Sequence, residues 1–163
     1  VVEKGYPIVE SFEDSLILIL AQLPGYVAAA WLIEKLGRKT TLSLFMAACA
    51  VCAYFFGGAG SETEIIVWGC LLSFFNLGAW GVLYTYTPEQ YPTNIRAFGS
   101  GWASAVGRIG GIIAPLVVTN MMVMPNGFGN VFMMFTVVLF AVAAVVFVLG
   151  EETKGKTLES ISQ

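Results

Sequence analysis

Five apolar runs of roughly twenty residues, almost free of charge, constrain this chain more than any other feature. They lie at about Ser15–Ile33, Thr40–Phe56, Ile65–Tyr86, Ala97–Val123 and Val131–Leu149. Each is long enough to cross a ~30 Å hydrocarbon core as a helix, and polar backbone groups can be satisfied there only within helices or closed barrels. Hydrophobic residues make up 57% of the chain and charged ones 12%, too little charge to coat a water-soluble domain of this length. The fold class that follows is all-α and integral to the lipid bilayer. Residues 1–14 read as an external loop, residues 15–149 as a five-helix membrane region and residues 150–163 as a cytoplasmic tail.

The basic residues orient these spans. Lys35, Arg38, Lys39, Arg96, Lys154 and Lys156 all fall on one side, and Lys4 alone on the other. Cytoplasmic loops carry the excess of Lys and Arg, so the N-terminal segment is expected outside and the tail inside. Tyr84, Tyr86 and Tyr91 gather near the inner end of the third run, where amphipathic rings favour the interface. Cys49, Cys52 and Cys70 sit inside apolar runs and read as buried free thiols. No basic patch of the kind that tracks phosphates is present, so nucleic acid is not expected as a partner.

One charge breaks the rule. Arg108 lies in the fourth run, about 18 Å inward from Arg96 at ~1.5 Å per residue, hence near mid-depth. A guanidinium there persists by facing a wet cavity or a partner, and it is suited to hold an anion. Gly99, Ala103, Gly107 and Gly111 recur every four residues and predict a stripe for close helix packing. Ser100 and Ser104 stack on the face that leads to Arg108, and Pro115 is expected to kink the helix.

Two further runs bring polar or aromatic groups to a similar depth. Gln22 and Tyr26 share a face of the first, around a Pro24-Gly25 pair expected to open that helix. Ser73, Asn76, Trp80 and Tyr84 form a stripe along the third. Together these predict a binding site of Arg108, Asn76, Trp80, Gln22 and Tyr26. No Asp or Glu lies within the expected spans and the chain has no histidine, so if the protein is proton-driven its coupling carboxylate is expected outside this chain. Gly99-Ser100-Gly101 has no His or Lys beside it to activate a nucleophile, which argues against an intramembrane hydrolase. Neither a metal nor a cofactor is called for.

The loops carry a resemblance. AAWLIEKLGRKTT, residues 29–41, resembles the cytoplasmic signature of the major facilitator superfamily, with Glu34 where Asp is usual and Ala30 where Gly is usual. PEQYPTNIR, residues 88–96, resembles the PE-x-YPT-x-x-R element of sugar-porter-like members. GEETKGKTLES, residues 150–160, resembles their PETKG-x-TLEE tail, with Glu151 in place of proline. NLGAWGVLYTYTPEQYPTNIRAFGSG and GRIGGIIAP are similar to the bacterial niacin permease group, proton-linked carriers of aromatic acids related to synaptic vesicle glycoproteins. Leu77-Gly78-Ala79-Trp80 departs from the GP-x-x-W pattern of sugar porters.

The resemblance implies spans eight to twelve of a twelve-helix carrier whose N-terminal half is absent here. It implies alternating access for a small nicotinate-like carboxylate, coupled to protons, in a bacterial inner membrane. A sugar carrier and a non-transporting receptor of the same fold are the alternatives. It also implies that Glu34, Arg38, Glu89 and Arg96 form ion pairs that close the inner face.

Overall fold

The computed structural model describes residues 15–155. Five helices are long and apolar enough to cross a membrane: α1 (Ser15–Leu36), α2 (Arg38–Gly58), α3 (Glu62–Glu89), α4 (Arg96–Met122) and α5 (Gly127–Leu149). Four of them run further than their apolar runs do, because helix hydrogen bonds continue into the interface. Glu34, Glu62, Glu64 and Glu89 consequently stand in terminal turns. The expected external loop 1–14, with Lys4, and the tail beyond residue 155, with Lys156, lie outside the described residues.

Local chemistry sets the helix ends. Gly37 alone joins α1 to α2, at φ 93° and ψ 168°. Its N–H closes α1 on the Ile33 carbonyl at 3.1 Å, and its own carbonyl accepts the Thr41 N–H at 3.2 Å. A side chain at that φ would be strained, hence glycine. At the other end of α2, Ser61 and Glu64 form a capping box that starts α3, and Glu64 Oε2 also accepts the Gly60 N–H at 2.8 Å. Asn126 begins α5 in the left-handed region at φ 58°, which Asn tolerates better than most residues.

The Pro24-Gly25 pair does not open α1. Helical structure continues through both residues, and the interruption is a single turn residue, Ala21, just upstream. Proline lacks the N–H that would bond four residues back, so its effect falls on the preceding turn. Gly25 instead permits close packing: a methyl there would overlap the Phe74 carbonyl of α3. Gly78 admits the Phe45 ring in the same way. Around this crossing lies the buried cluster Ala29, Leu42, Phe45, Ala79, Val82 and Tyr86. The Phe45 ring stacks on Phe74 at 6.3 Å and meets Phe75 edge-on at 5.5 Å.

Helix α2 lies between α5 and α3, and α3 in turn carries α1. Thr136 of α5 is buried and donates to the Phe132 carbonyl of its own turn at 2.8 Å and to Ala50 of α2 at 3.3 Å. Helix α4 is peripheral. Its one buried residue is Gly99, covered by the Tyr91 ring. Phe98, Trp102, Ile109, Ile112 and Leu116 project outward from it. In water such a face would drive aggregation, whereas hydrocarbon solvates it without cost.

Candidate functional site

The seam between α3 and α4 opens into a cavity of about 600 Å³. Helix α3 lines it with Trp80, Leu83, Tyr84, Thr87 and Pro88; α4 contributes Ser100, Ala103, Ser104, Gly107, Arg108 and Gly111. The volume suits a small molecule. Arg108 and Trp80, predicted separately from two spans, thus face one space. Arg108 has no ion-pair or hydrogen-bond partner among the described residues, so its donors stand open to a ligand. Trp80 and Tyr84 stack obliquely at 5.5 Å and form an aromatic wall opposite the arginine helix.

The glycine stripe divides. Gly99 packs as expected, but Gly107 and Gly111 have no described atom within 4 Å of where a side chain would begin. They widen the cavity rather than seat a described helix. Pro115 does not end α4, which continues to Met122. It removes the donor for the carbonyl of Gly111, and Pro88 does the same for Tyr84. Both carbonyls belong to residues that line the cavity. Beyond Pro115, Thr119 and Asn120 turn their side chains back to the Pro115 and Leu116 carbonyls at 2.8 Å each.

The remaining predicted site residues are not gathered there. Asn76 is exposed on α3, one turn outward from Trp80 on the same face. Tyr26 packs on Gly81, where a methyl would come within 2.8 Å of its ring. Gly81 is rotated about 100° from Trp80, so Tyr26 meets another face of α3. Gln22 is half-buried one turn before it. Equal depth does not bring side chains together when their helices present different faces. Thr87 and Pro88, which line the cavity near the C-terminal end of α3, were not among the expected residues, and their positions near a helix end carried no depth signal.

At one end of the bundle, the chain tail crosses the ends of α1, α2 and α3. Arg38 Nε lies 3.3 Å from Glu89 Oε2, with the side chains 25% and 18% exposed. The contact is electrostatic, since that covered nitrogen makes no well-aligned hydrogen bond. Glu89 also accepts the Thr153 hydroxyl. Glu152, which the loop motifs did not single out, accepts the Arg38 backbone N–H at 2.8 Å and the Lys154 N–H at 3.1 Å. Its carboxylate caps α2, whose N-cap Gly37 has no side chain for the purpose.

Tyr86 is buried and donates its hydroxyl to the Glu151 carbonyl at 2.6 Å. It anchors the tail; Tyr84 lines the cavity and Tyr91 packs on Gly99. Lys154 Nζ donates to the Lys35 carbonyl at 2.6 Å. Of the four residues expected to form ion pairs, Arg38 and Glu89 meet. Glu34 is exposed, and Arg96 donates to the Pro88 carbonyl at 3.0 Å, bracing the α3–α4 turn.

Five helices long and apolar enough to cross a bilayer, with a guanidinium well inside one of them, define a multi-pass membrane protein. The chain belongs to the sugar (and other) transporter family, whose model matches residues 6–163. It is 73% identical over 160 residues to the niacin transporter NiaP of Acinetobacter baylyi, an alignment covering 98% of this chain and 36% of that protein. It is 52% identical over 156 residues to a Bacillus subtilis protein named for niacin/nicotinamide transport, covering 96% and 39%. The synaptic vesicle 2-related protein of Rattus norvegicus is 31% identical over 157 residues, covering 94% and 28%. The chain therefore spans less than two fifths of the length of these relatives.

Proposed function

We propose that this chain forms spans eight to twelve of a secondary transporter that moves a nicotinate-like aromatic carboxylate across a bacterial inner membrane, coupled to protons. The observation that carries the reading is the convergence of Arg108 and Trp80 on one cavity, in a chain 73% identical to a protein named as a niacin transporter. A guanidinium binds a carboxylate with two parallel hydrogen bonds, and an indole face stacks on the attached ring. The family description also names sugars, which keeps a sugar carrier as the second reading. A neutral sugar gives Arg108 no charge to meet.

In this proposal seven further helices complete the carrier, and the six of its N-terminal half rock against the half to which these five belong. Residues 1–14 form an external loop, and the tail is cytoplasmic. The Arg38–Glu89–Thr153 cluster and the Glu152 cap hold the inner face closed. A few contacts of ~1 kcal/mol each suffice to bias such an equilibrium. Protons enter through a carboxylate in the other half.

The test is uptake into proteoliposomes containing the complete transporter, with an inward proton gradient, comparing labelled nicotinate with labelled glucose. Nicotinate uptake that stops when the gradient is dissipated is the expected result. Glucose uptake without nicotinate uptake would overturn the reading and return Arg108 to a structural role.

A further inference from the structure

We infer that Ser100 is a specificity residue of this cavity, donating its hydroxyl to a ring nitrogen that lies meta to the Arg108-bound carboxylate of the substrate. The inference rests on the carboxylate reading above and adds to it a second, neutral recognition point.

Ser100 lines the cavity, yet its Oγ exposes less than 1 Å² and has no hydrogen-bond partner. A covered hydroxyl without a partner is costly in an apolar setting. The usual remedy on a helix, donation to the carbonyl four residues back, is used by Ser43 and Thr119 of this chain. Ser100 does not use it. Its resting orientation has no bond to lose, so rotation about χ1 into the cavity sacrifices nothing and gains an acceptor when one arrives.

The spacing suits a monocyclic substrate. Ser100 and Arg108 are eight residues apart on α4, about 12 Å along the axis, and share a face with Ser104 between them. A long helical side chain leans toward the helix N-terminus and covers roughly the preceding turn, ~5.4 Å, which brings the guanidinium toward Ser104. The remaining ~7 Å is filled by one obliquely set ring with a hydrogen bond at its end. Tyr84 and Trp80 flank the same interval from α3, so the ring lies against an aromatic wall. Gly107 contributes no side chain to obstruct it.

The chemistry follows directly. A pyridine nitrogen presents a lone pair in the ring plane and accepts the Ser100 O–H. A benzene C–H at that position accepts nothing and leaves the hydroxyl unpaired. Ser100 therefore separates pyridine carboxylates from benzoates, which Arg108 and Trp80 cannot do.

The test uses the complete transporter in lipid nanodiscs, with Kd measured for nicotinate and for benzoate. The wild type is expected to prefer nicotinate. Ser100→Ala should weaken nicotinate about five- to tenfold, one buried neutral hydrogen bond, and leave benzoate within about twofold. Ser100→Thr, which keeps the hydroxyl, should retain the preference. Equal losses for both ligands in Ser100→Ala, or no loss for either, would overturn the assignment and make Ser100 a packing residue. Wild-type protein that binds both acids equally, with binding lost in Arg108→Ala, would overturn the Ser100 inference while keeping the carboxylate reading. Wild-type protein that binds neither acid would overturn both.

Discussion

Glu152→Ala should detach the tail from the N-terminus of α2 by a calculable amount. In the folded chain Glu152 accepts the N–H of Arg38, the first residue of α2, at 2.8 Å. A carboxylate at a helix N-terminus stabilises by ~0.3–1 kcal/mol when exposed and up to ~2 kcal/mol when partly buried. A hydrogen bond to a charged group contributes ~1.5–3 kcal/mol, and the two estimates describe the same contact, so they do not add. Glu152 is half-buried, which places the loss for Ala at about 2 kcal/mol. Glu152→Gln keeps an acceptor and loses the charge, so about 1 kcal/mol should go. With 1.4 kcal/mol per tenfold, the detached population rises about thirtyfold for Ala and about fivefold for Gln. Thr153 is buried beside Glu89 and Lys154 is tied to the Lys35 carbonyl. Trypsin cleavage after Lys154 in inside-out vesicles therefore reports detachment, because cleavage tracks the open population when opening is fast. Rates are normalised to the unfolded variants to remove the effect of the substitution on the protease itself. A wild-type cleavage rate in Glu152→Ala would refute the cap, and a Gln variant as fast as Ala would show that the acceptor contributes nothing.

Three further outcomes follow from the same geometry. Arg108→Ala should abolish aromatic-acid uptake by the complete transporter without reducing its amount in the membrane, and Arg108→Lys should fail to restore it, because a single ammonium cannot bind a carboxylate in parallel. Wild-type uptake in both variants would remove Arg108 from the site. Gly25→Val should destabilise the α1–α3 crossing by about 3 kcal/mol or more, since its branched side chain would meet the Phe74 backbone, which cannot rotate away; thermal inactivation in detergent measures it, while Gly58→Val, with open space around it, serves as control. Cys49 and Cys52 are buried and Cys70 is half-buried, so a membrane-permeant maleimide should label Cys70 first, and only denaturation should release the other two. Equal labelling of all three in the folded protein would contradict the packing of α2.

Much of this protein is legible in its amino-acid sequence. Five spans follow from five apolar runs because a bilayer leaves the backbone no alternative to a helix, and hydropathy alone reports them. Arg108 stands out for the same reason: a charge at mid-depth has to be explained by something other than lipid contact. Pairing could not be read. Depth along a helix is one coordinate, and the facing direction is another that depends on neighbours. Trp80 and Arg108 converge, whereas Tyr26, at similar depth, sits against a different face of α3.

The end of the bundle that the tail crosses shows the same division. Motif spacing identified Arg38 and Glu89, which do meet. It gave no sign that Glu152, 114 residues further on, would cap α2, or that Arg96 would brace a carbonyl instead of a carboxylate. Gly37 explains the first. A glycine N-cap leaves α2 without an acceptor of its own, and only the folded chain brings another to it. The amino-acid sequence by itself determined the solvent of this protein, the number of its spans and the presence of a charge within one of them, because each is a property of a contiguous segment in lipid. The tertiary structure decided which faces meet, where the cavity opens and which carboxylate caps α2, because those depend on contacts between residues far apart in the chain.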